Sequence, residues 1–176
     1  ILLAYRAIKK NKGSKTKGVN STTIVEMGEK QPEELIAYVR KRLQNFHPHA
    51  VRRVEIPKPD GRMRPLGIPT MEDRIVQQCI KQVLEPICEA KFYKHSYGFR
   101  PNRSAHHAIA RAMFLVNISK YRYVVDVDIK GFFDNVNHGK LLKQLWTLGI
   151  RDKQLLCVLS KMLKAPIQGE GVPAKG

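Results

Sequence analysis

The strongest local constraint on the fold is a turn signal, Lys58-Pro59-Asp60-Gly61, between two segments with strand character. Proline presets its own φ and glycine adopts a left-handed backbone easily, so the signal predicts a β-hairpin over residues 51–57 and 62–68. Elsewhere, apolar residues recur mostly at helical spacing. We predict a short helix before Lys9, a helix over 32–46, and two helices over 139–148 and 152–163 that Gly149 separates. A long helix is predicted to start at an Asp73 cap and to bend or end near Pro86. A further helix is predicted to start at a Ser104 cap. One hairpin among several helices indicates the α+β class.

The chain is strongly basic along its whole length. It has 32 Lys and Arg against 15 Asp and Glu, a net charge of +17 to which both halves contribute. Such an excess of one sign repels itself unless a polyanion binds, so nucleic acid is the expected partner. No apolar run approaches the roughly 18 residues of a membrane span, and we therefore expect no membrane association.

The cysteines and the chain ends bear on compartment and completeness. Cys79, Cys88 and Cys157 make an odd number without Cys-x-x-Cys spacing, which argues against a disulfide framework and a zinc finger. We therefore expect a reducing compartment, either bacterial cytoplasm or an organelle. The sequence starts without Met and stops at residues 172–176, which close no recognisable element, so a fragment of a longer protein is expected.

A lysine-rich segment, residues 9–20, contains almost no apolar side chain and predicts an exposed loop. Two readings stay open here: a flexible linker, or a contact with the phosphates of a polyanion. The lysines that would make the contact are Lys9, Lys10, Lys12, Lys15 and Lys17.

A second loop, residues 94–103, interrupts the helical periodicity and presents Arg100 and Arg103 beside Tyr97 and Phe99. Arginines that bind phosphates, together with aromatic rings that pack on bases or sugars, suit a contact with a template strand. Alternatively, the two aromatic rings anchor the loop in the core and only the arginines are exposed.

Residues 122–130 predict a valine-rich β-strand in which Asp126 and Asp128 share one face. Two carboxylates near a strand end can bind a hard divalent cation such as Mg²⁺, because such ions prefer oxygen ligands. A solvated or salt-bridged pair of aspartates gives the same pattern. The strand by itself therefore leaves both interpretations open.

Several segments, taken together and in order, resemble the reverse transcriptases of the group II intron family. The segment Asp128-Ile-Lys-Gly-Phe-Phe-Asp134-Asn-Val-Asn-His138 is similar to that family's palm motif. The other matches are residues 53–70 and 73–77 to the first fingers motif, residues 96–106 to the second, and Ala4-Tyr5-Arg6, Asn11-Lys12-Gly13 and Gly18-Val19-Asn20 to the N-terminal extension. The resemblance covers nearly the whole chain.

The resemblance implies a fold and an activity. The fold is the fingers subdomain of a right-hand polymerase with the beginning of the palm, divided into an N-terminal extension (1–30), fingers (31–120) and a truncated first part of the palm (121–176). The activity is that of an RNA-directed DNA polymerase that also binds intron RNA as a maturase. The implied partners are group II intron RNA, an RNA template with a DNA primer, and deoxynucleoside triphosphates. An exposed apolar seam on the fragment would also allow a homodimer.

The resemblance also assigns roles to individual residues. Asp128, with the backbone carbonyl of Ile129, would bind catalytic Mg²⁺. Lys58 and Arg64 would bind the triphosphate of the incoming nucleotide, and the hairpin allows both charges to point to one side. Phe133 would exclude a ribose 2′-hydroxyl and so favour deoxynucleotides. An ordinary core role for Phe133 or its neighbour Phe132 is the alternative, and we expect at least one of the two to be buried.

For several other residues we predict structural roles. Asp134 and His138 are expected to cap and brace the following helix. Paired metal-ligand spacing is lacking around His106 and His107, which favours a structural role, and Trp146 is expected in the core.

The sequence departs from the family pattern in two ways. Asn20 and Asn137 stand where the family usually has Asp, a mild change at cap-like positions. The Pro-Gln-Gly and Tyr-Ala-Asp-Asp segments are not among the 176 residues, so a two-ion site cannot be complete within them. We therefore expect this chain to bind nucleic acid without polymerising. The competing hypotheses are a non-catalytic RNA clamp, which would be a maturase or a relative of the spliceosomal scaffold, and a general basic RNA-binding protein of ribosomal type.

Overall fold

The structure is a computed structural model that describes residues 1–59 and 61–173, without the side chain of Asp134. In these ranges it forms seven α-helices and one two-stranded antiparallel sheet. The helices are α1 (Leu2–Lys9), α2 (Ile24–Gly28), α3 (Pro32–Gln44), α4 (Met71–Glu89), α5 (Ala105–Asn117), α6 (His138–Thr147) and α7 (Lys153–Leu163), and the strands are β1 (Arg52–Pro57) and β2 (Met63–Ile68). The predicted mixture of helices with a small sheet is confirmed.

The hydrophobic core lies where α1, α2 and α3 pack on the N-terminal half of α4. The apolar side chains that are buried there include Ile8, Met27, Val39 and Ile75. Helix α7 covers one side of the core with Leu155, Val158, Leu159 and Met162, which are only partly buried. Of the buried hydrophobic residues of the described chain, all except Ile150 lie before Lys81.

The hairpin forms as predicted. β1 and β2 pair in an antiparallel register in which Ile56 faces Arg64 and Pro57 faces Met63. The pairing continues toward the turn through the Lys58 amide, which donates to the Arg62 carbonyl (2.8 Å). Gly61 has φ +79°, the left-handed conformation that the turn signal requires. Asp60, at the tip of the predicted turn, lies outside the described residues.

The predicted N-cap of α4 is wrong, and so is the alternative in which the helix ends near Pro86. The N-cap is Thr70, whose side chain accepts the amide of Asp73, and Asp73 itself lies in the first turn with its carboxylate buried. The helix also continues through Pro86 to Glu89. The helix predicted over 152–163 forms as α7, and Asp152 is its N-cap, which accepts the amides of Gln154 and Leu155.

At α6 the cap is Asn137, which accepts the Lys140 amide, and His138 is the first helical residue. Any role of the Asp134 side chain lies outside the described residues. Trp146, expected in the core, is 40% exposed.

The predicted strand over residues 122–130 is wrong for this structure. Residues 121–129 have no regular secondary structure, and their large apolar side chains are exposed, Val125 to 85%. A strand needs a neighbour for its backbone hydrogen bonds, and none of the described residues supplies one. The apolar face predicted for α5 is likewise left unburied.

The lysine-rich segment is more ordered than a linker. Residues Lys12–Lys15 form a 3₁₀ turn, Ser14 is buried, and α2 follows a few residues later, which the sequence did not predict. No helix in the described part of the chain is long and apolar enough to span a membrane.

Candidate functional site

The two cations of the hairpin, Lys58 and Arg64, lie close to its turn. Ile56 pairs with Arg64, and Lys58 follows two residues after Ile56, just beyond the end of β1. Alternate residues of a strand share a face, and paired residues of adjacent strands share it too. The register is therefore compatible with both charges on one side, because the Lys58 amide continues the pairing by donating to the Arg62 carbonyl. Both side chains are exposed, and their predicted role in binding a triphosphate stays a prediction.

Asp128 and Ile129 lie in the extended segment that precedes the turn at Gly131. Asp126 and Asp128 are both exposed. A carboxylate and a backbone carbonyl are oxygen donors, which fits Mg²⁺ in kind. No cluster of three or more His, Cys, Asp or Glu side chains with metal-binding geometry occurs among the residues that the structure describes. The predicted binding of Mg²⁺ at Asp128 and Ile129 therefore stays a prediction.

Phe132 and Phe133 pack edge to face, with ring centroids 5.6 Å apart. Phe132 is 52% exposed and Phe133 79%, so neither lies in the core and the expectation that one would be buried is wrong. An exposed aromatic ring five residues after Asp128 is available to contact a ligand. Its predicted role as a sugar gate stays a prediction.

Arg100 fixes the loop of residues 94–103 to α4. Its guanidinium donates to both carboxylate oxygens of Glu89 on α4 (2.9–3.1 Å) and to the carbonyls of Tyr93 and Ser96 (2.8 and 3.0 Å). The side chain is only 6% exposed. These hydrogen bonds raise the pKa of Arg100 and hold the pKa of Glu89 below its ordinary value. A template contact by Arg100 would require this clamp to open, and the contact stays a prediction.

The rest of this loop is more accessible. Arg103 stacks on the Tyr97 ring, 5.5 Å from its centroid, and donates to the Lys94 carbonyl. Phe99 is fully exposed, with φ +55°. The alternative in which both aromatic rings anchor the loop is therefore wrong for Phe99, and the loop presents an aromatic ring and an arginine on its surface.

The five lysines predicted to contact RNA are all exposed. They lie on or beside residues 11–18, which two arginines hold against the body. Arg74 on α4 donates to the carbonyls of Gly13 (3.0 Å) and Thr16 (3.1 Å), and Arg52 on β1 donates to the carbonyl of Lys17 (2.8 Å). Sequence reasoning missed both arginines, because their partners are backbone atoms more than 30 residues away.

A buried polar cluster near the start of α4 was also missed. The carboxylate of Asp73, 3% exposed, accepts from Arg42 on α3 (2.6 Å) and from the backbone amide of His49 (2.7 Å). The His49 ring lies 3.2 Å from both Asp73 and the Thr70 hydroxyl. The cluster fixes α3 and the segment before β1 to α4, and so determines where the hairpin starts.

Comparison with known proteins identifies the family of this site. Residues 56–175, which include Lys58, Arg64, Asp128 and Phe133, match the family model described as reverse transcriptase (RNA-dependent DNA polymerase). The chain belongs to the reverse transcriptase family. Its curated relatives include a group II intron-encoded protein and a putative COX1/OXI3 intron protein.

Three relatives illustrate the likeness. Protein YkfC of Escherichia coli is 37% identical over 98% of this chain and 48% of that protein. The group II intron-encoded protein LtrA of Lactococcus lactis is 37% identical over 93% of this chain and 26% of its own length. A putative COX1/OXI3 intron 2 protein of Saccharomyces cerevisiae is 35% identical over 94% of this chain and 19% of its own length. The chain thus spans half or less of the relatives that it matches.

Proposed function

We propose that this chain is the N-terminal extension (1–30), the fingers (31–120) and the first part of the palm (121–176) of a group II intron-encoded reverse transcriptase. The whole protein would extend a DNA primer on an RNA template and would also bind its intron RNA as a maturase. Membership of the family over residues 56–175 supports this proposal. So does the hairpin register, which is compatible with Lys58 and Arg64 on one face.

The proposed chemistry is nucleotidyl transfer: the primer 3′-oxygen loses its proton and bonds to the α-phosphorus of the deoxynucleotide, while the α–β phosphoanhydride bond breaks and pyrophosphate leaves. Lys58 and Arg64 bind the triphosphate of the incoming deoxynucleotide and neutralise charge that develops on it. Phe133 packs against the sugar and excludes a 2′-hydroxyl. Asp128 and the carbonyl of Ile129 would hold Mg²⁺, which when bound polarises the transferred phosphate and lowers the pKa of the attacking hydroxyl.

Within these 176 residues Asp128 is the single proposed metal-binding carboxylate. A two-ion site needs more carboxylates than this, so we propose that the 176-residue polypeptide by itself binds RNA and does not polymerise. The proposed location is bacterial cytoplasm or an organelle. We also propose that the isolated polypeptide self-associates through its exposed apolar residues.

Primer extension tests the enzymatic proposal. The full-length protein that carries these residues is given an RNA template, a labelled DNA primer, Mg²⁺ and deoxynucleotides, beside its Asp128→Ala and Asp126→Ala variants. We expect loss of extension by at least about a hundredfold in Asp128→Ala, because the metal ligand is removed, and a smaller effect in Asp126→Ala. A wild-type protein that binds RNA tightly and makes no product would favour the non-catalytic clamp instead.

A further inference from the structure

The lysine-rich loop, residues 11–18, is held by hydrogen bonds from two arginines to its backbone. Arg74 donates a hydrogen bond from each of its three guanidinium nitrogens to a different backbone carbonyl. Nε donates to Pro69 (3.1 Å), Nη1 to Gly13 and Nη2 to Thr16. Arg52 adds Nε and Nη2 on the Lys17 carbonyl. The loop is therefore fixed to α4 and to β1 at three successive points of its backbone.

Close packing adds to these bonds. A Cβ on Gly18 would lie 2.7 Å from the Thr70 Cα and 2.9 Å from the Pro69 carbonyl oxygen, so the backbone at Gly18 touches the backbone before α4. Ser14, within the 3₁₀ turn, is buried. The backbone of the loop is thus packed closely against the body at Gly18, and the side chains of Lys12, Lys15 and Lys17 are exposed.

Among the described residues, no carboxylate forms a salt bridge with either of the two guanidiniums that hold the loop. Within the described part of the chain their hydrogen bonds go to carbonyl oxygens, and burial, with the neighbouring Arg52, lowers the pKa of Arg74. Positive charge is therefore concentrated around a fixed loop, which favours binding of a polyanion on the exposed side of that loop. A loop that is already ordered also loses less conformational freedom when it binds.

We propose that Arg74, assisted by Arg52, is a positioning residue for nucleic acid: it holds loop 11–18 so that Lys12, Lys15 and Lys17 meet the phosphates of RNA as a fixed set. The inference rests on the proposed RNA binding and deepens it, since it makes the affinity of these lysines depend on a side chain that touches no RNA.

The test is RNA binding by the 176-residue chain, with a labelled 30-nucleotide single-stranded RNA of mixed sequence, at several salt concentrations. The variants are Arg74→Lys, the triple variant Lys12→Gln/Lys15→Gln/Lys17→Gln, and the two combined. Lysine keeps the charge of Arg74 but cannot span three carbonyls. Arg40→Lys, at an exposed arginine of α3, is the matched control.

We expect the triple variant to reduce the slope of log affinity against log salt by about 2, because about 0.7 counterions are released per phosphate contact on a single strand. Arg74→Lys is expected to weaken binding about threefold or more at unchanged net charge, and to have no further effect in the triple-lysine background. Arg40→Lys should leave affinity and slope unchanged.

Each alternative outcome overturns a defined claim. Wild-type affinity that does not depend on salt removes the RNA-binding function itself, and the positioning role with it. Steep wild-type binding that the triple variant leaves unchanged overturns the positioning role alone. The same holds if Arg74→Lys binds like wild type, or if it weakens binding equally in both backgrounds. Circular dichroism reports folding, and if Arg74→Lys does not fold, Arg52→Lys takes its place in the same cycle.

Discussion

At the scale of single residues, Asp73 joins three parts of the chain. Its carboxylate accepts from the Arg42 guanidinium and the His49 amide while its own backbone is part of α4. We predict that Asp73→Ala lowers the free energy of unfolding by about 3–5 kcal/mol, because it leaves the largely buried Arg42 charge without its partner. Urea denaturation followed by circular dichroism measures this loss.

The pair Lys81–Glu85 gives the matched control for Asp73. It joins positions i and i+4 on the outer side of α4 at 3.4 Å. Partly exposed helix pairs of this kind contribute about 0.3–0.5 kcal/mol, so Glu85→Ala should have little effect. Equal losses from the two variants would contradict the special role of Asp73.

Asp73 also shows why the N-cap of α4 could not be predicted from the local sequence. Thr70 and Asp73 are both good N-caps, and the local pattern does not distinguish them. Arg42, 31 residues earlier, determines that Thr70 is the cap, because its charge pairs with the buried Asp73 carboxylate. A preference that depends on a distant partner has no local signal.

At the scale of elements, the segment 122–130 is expected to exchange its amide hydrogens quickly. None of its amides donates a hydrogen bond to the backbone of the described residues, whereas the amides of α4 lie in a helix with a buried face. Hydrogen exchange followed by mass spectrometry on the 176-residue chain should show fast exchange in 122–130 and slow exchange in the N-terminal half of α4. Comparable protection in both segments would mean that the strand finds a partner.

The Arg100–Glu89 clamp between α4 and the following loop should make stability sensitive to acid. Hydrogen bonds from Arg100 hold the pKa of Glu89 below its ordinary value of 4.5, so the native state binds this proton less readily than the unfolded state does. The stabilisation is therefore complete above pH 4.5 and is lost as the pH falls through the lowered pKa. Denaturation curves of wild type and Glu89→Gln at pH 7, 5, 4 and 3 should differ by a constant amount above pH 5 and converge in acid. A difference that grows in acid would contradict the clamp.

Elements with local signals were predictable, and those that depend on tertiary partners were not. The turn of the hairpin, the Asp152 cap of α7 and the left-handed Gly149 are encoded in adjacent residues. The strand at 122–130 has the right residue types, but pairing requires another strand, which the described residues lack. A register compatible with Lys58 and Arg64 on one face was predictable because it follows from strand alternation alone. The arginine contacts of loop 11–18 were not, since a backbone carbonyl has no sequence signature.

At the scale of the whole molecule, the accessible surface is large. It amounts to 13205 Å² for 20.1 kDa, whereas a compact monomer of that mass exposes about 8,700 Å². About half of the exposed large apolar side chains of the described residues lie in residues 105–135, among them Ile109, Val125 and Phe133. Surface of this kind promotes association.

We predict that self-association of the 176-residue chain increases with salt. The net charge of +17 keeps copies apart when screening is weak, and the screening length falls from about 10 Å at 0.1 M to about 3 Å at 1 M salt. Light scattering should therefore give a mass near 20.1 kDa at low salt and a larger one at high salt. A mass that stays at the monomer value throughout would show that the exposed residues do not bind one another.

The position of the hydrophobic core has a consequence for how the protein is made. Because nearly all fully buried apolar residues precede Lys81, they are synthesised before α5, α6 and α7. At about 5–20 residues per second, the remaining chain takes about 5–20 s to synthesise, far longer than a small domain needs to collapse. The N-terminal half can thus complete its packing while the rest is still being translated, and it then offers a preformed surface on which the later segments assemble.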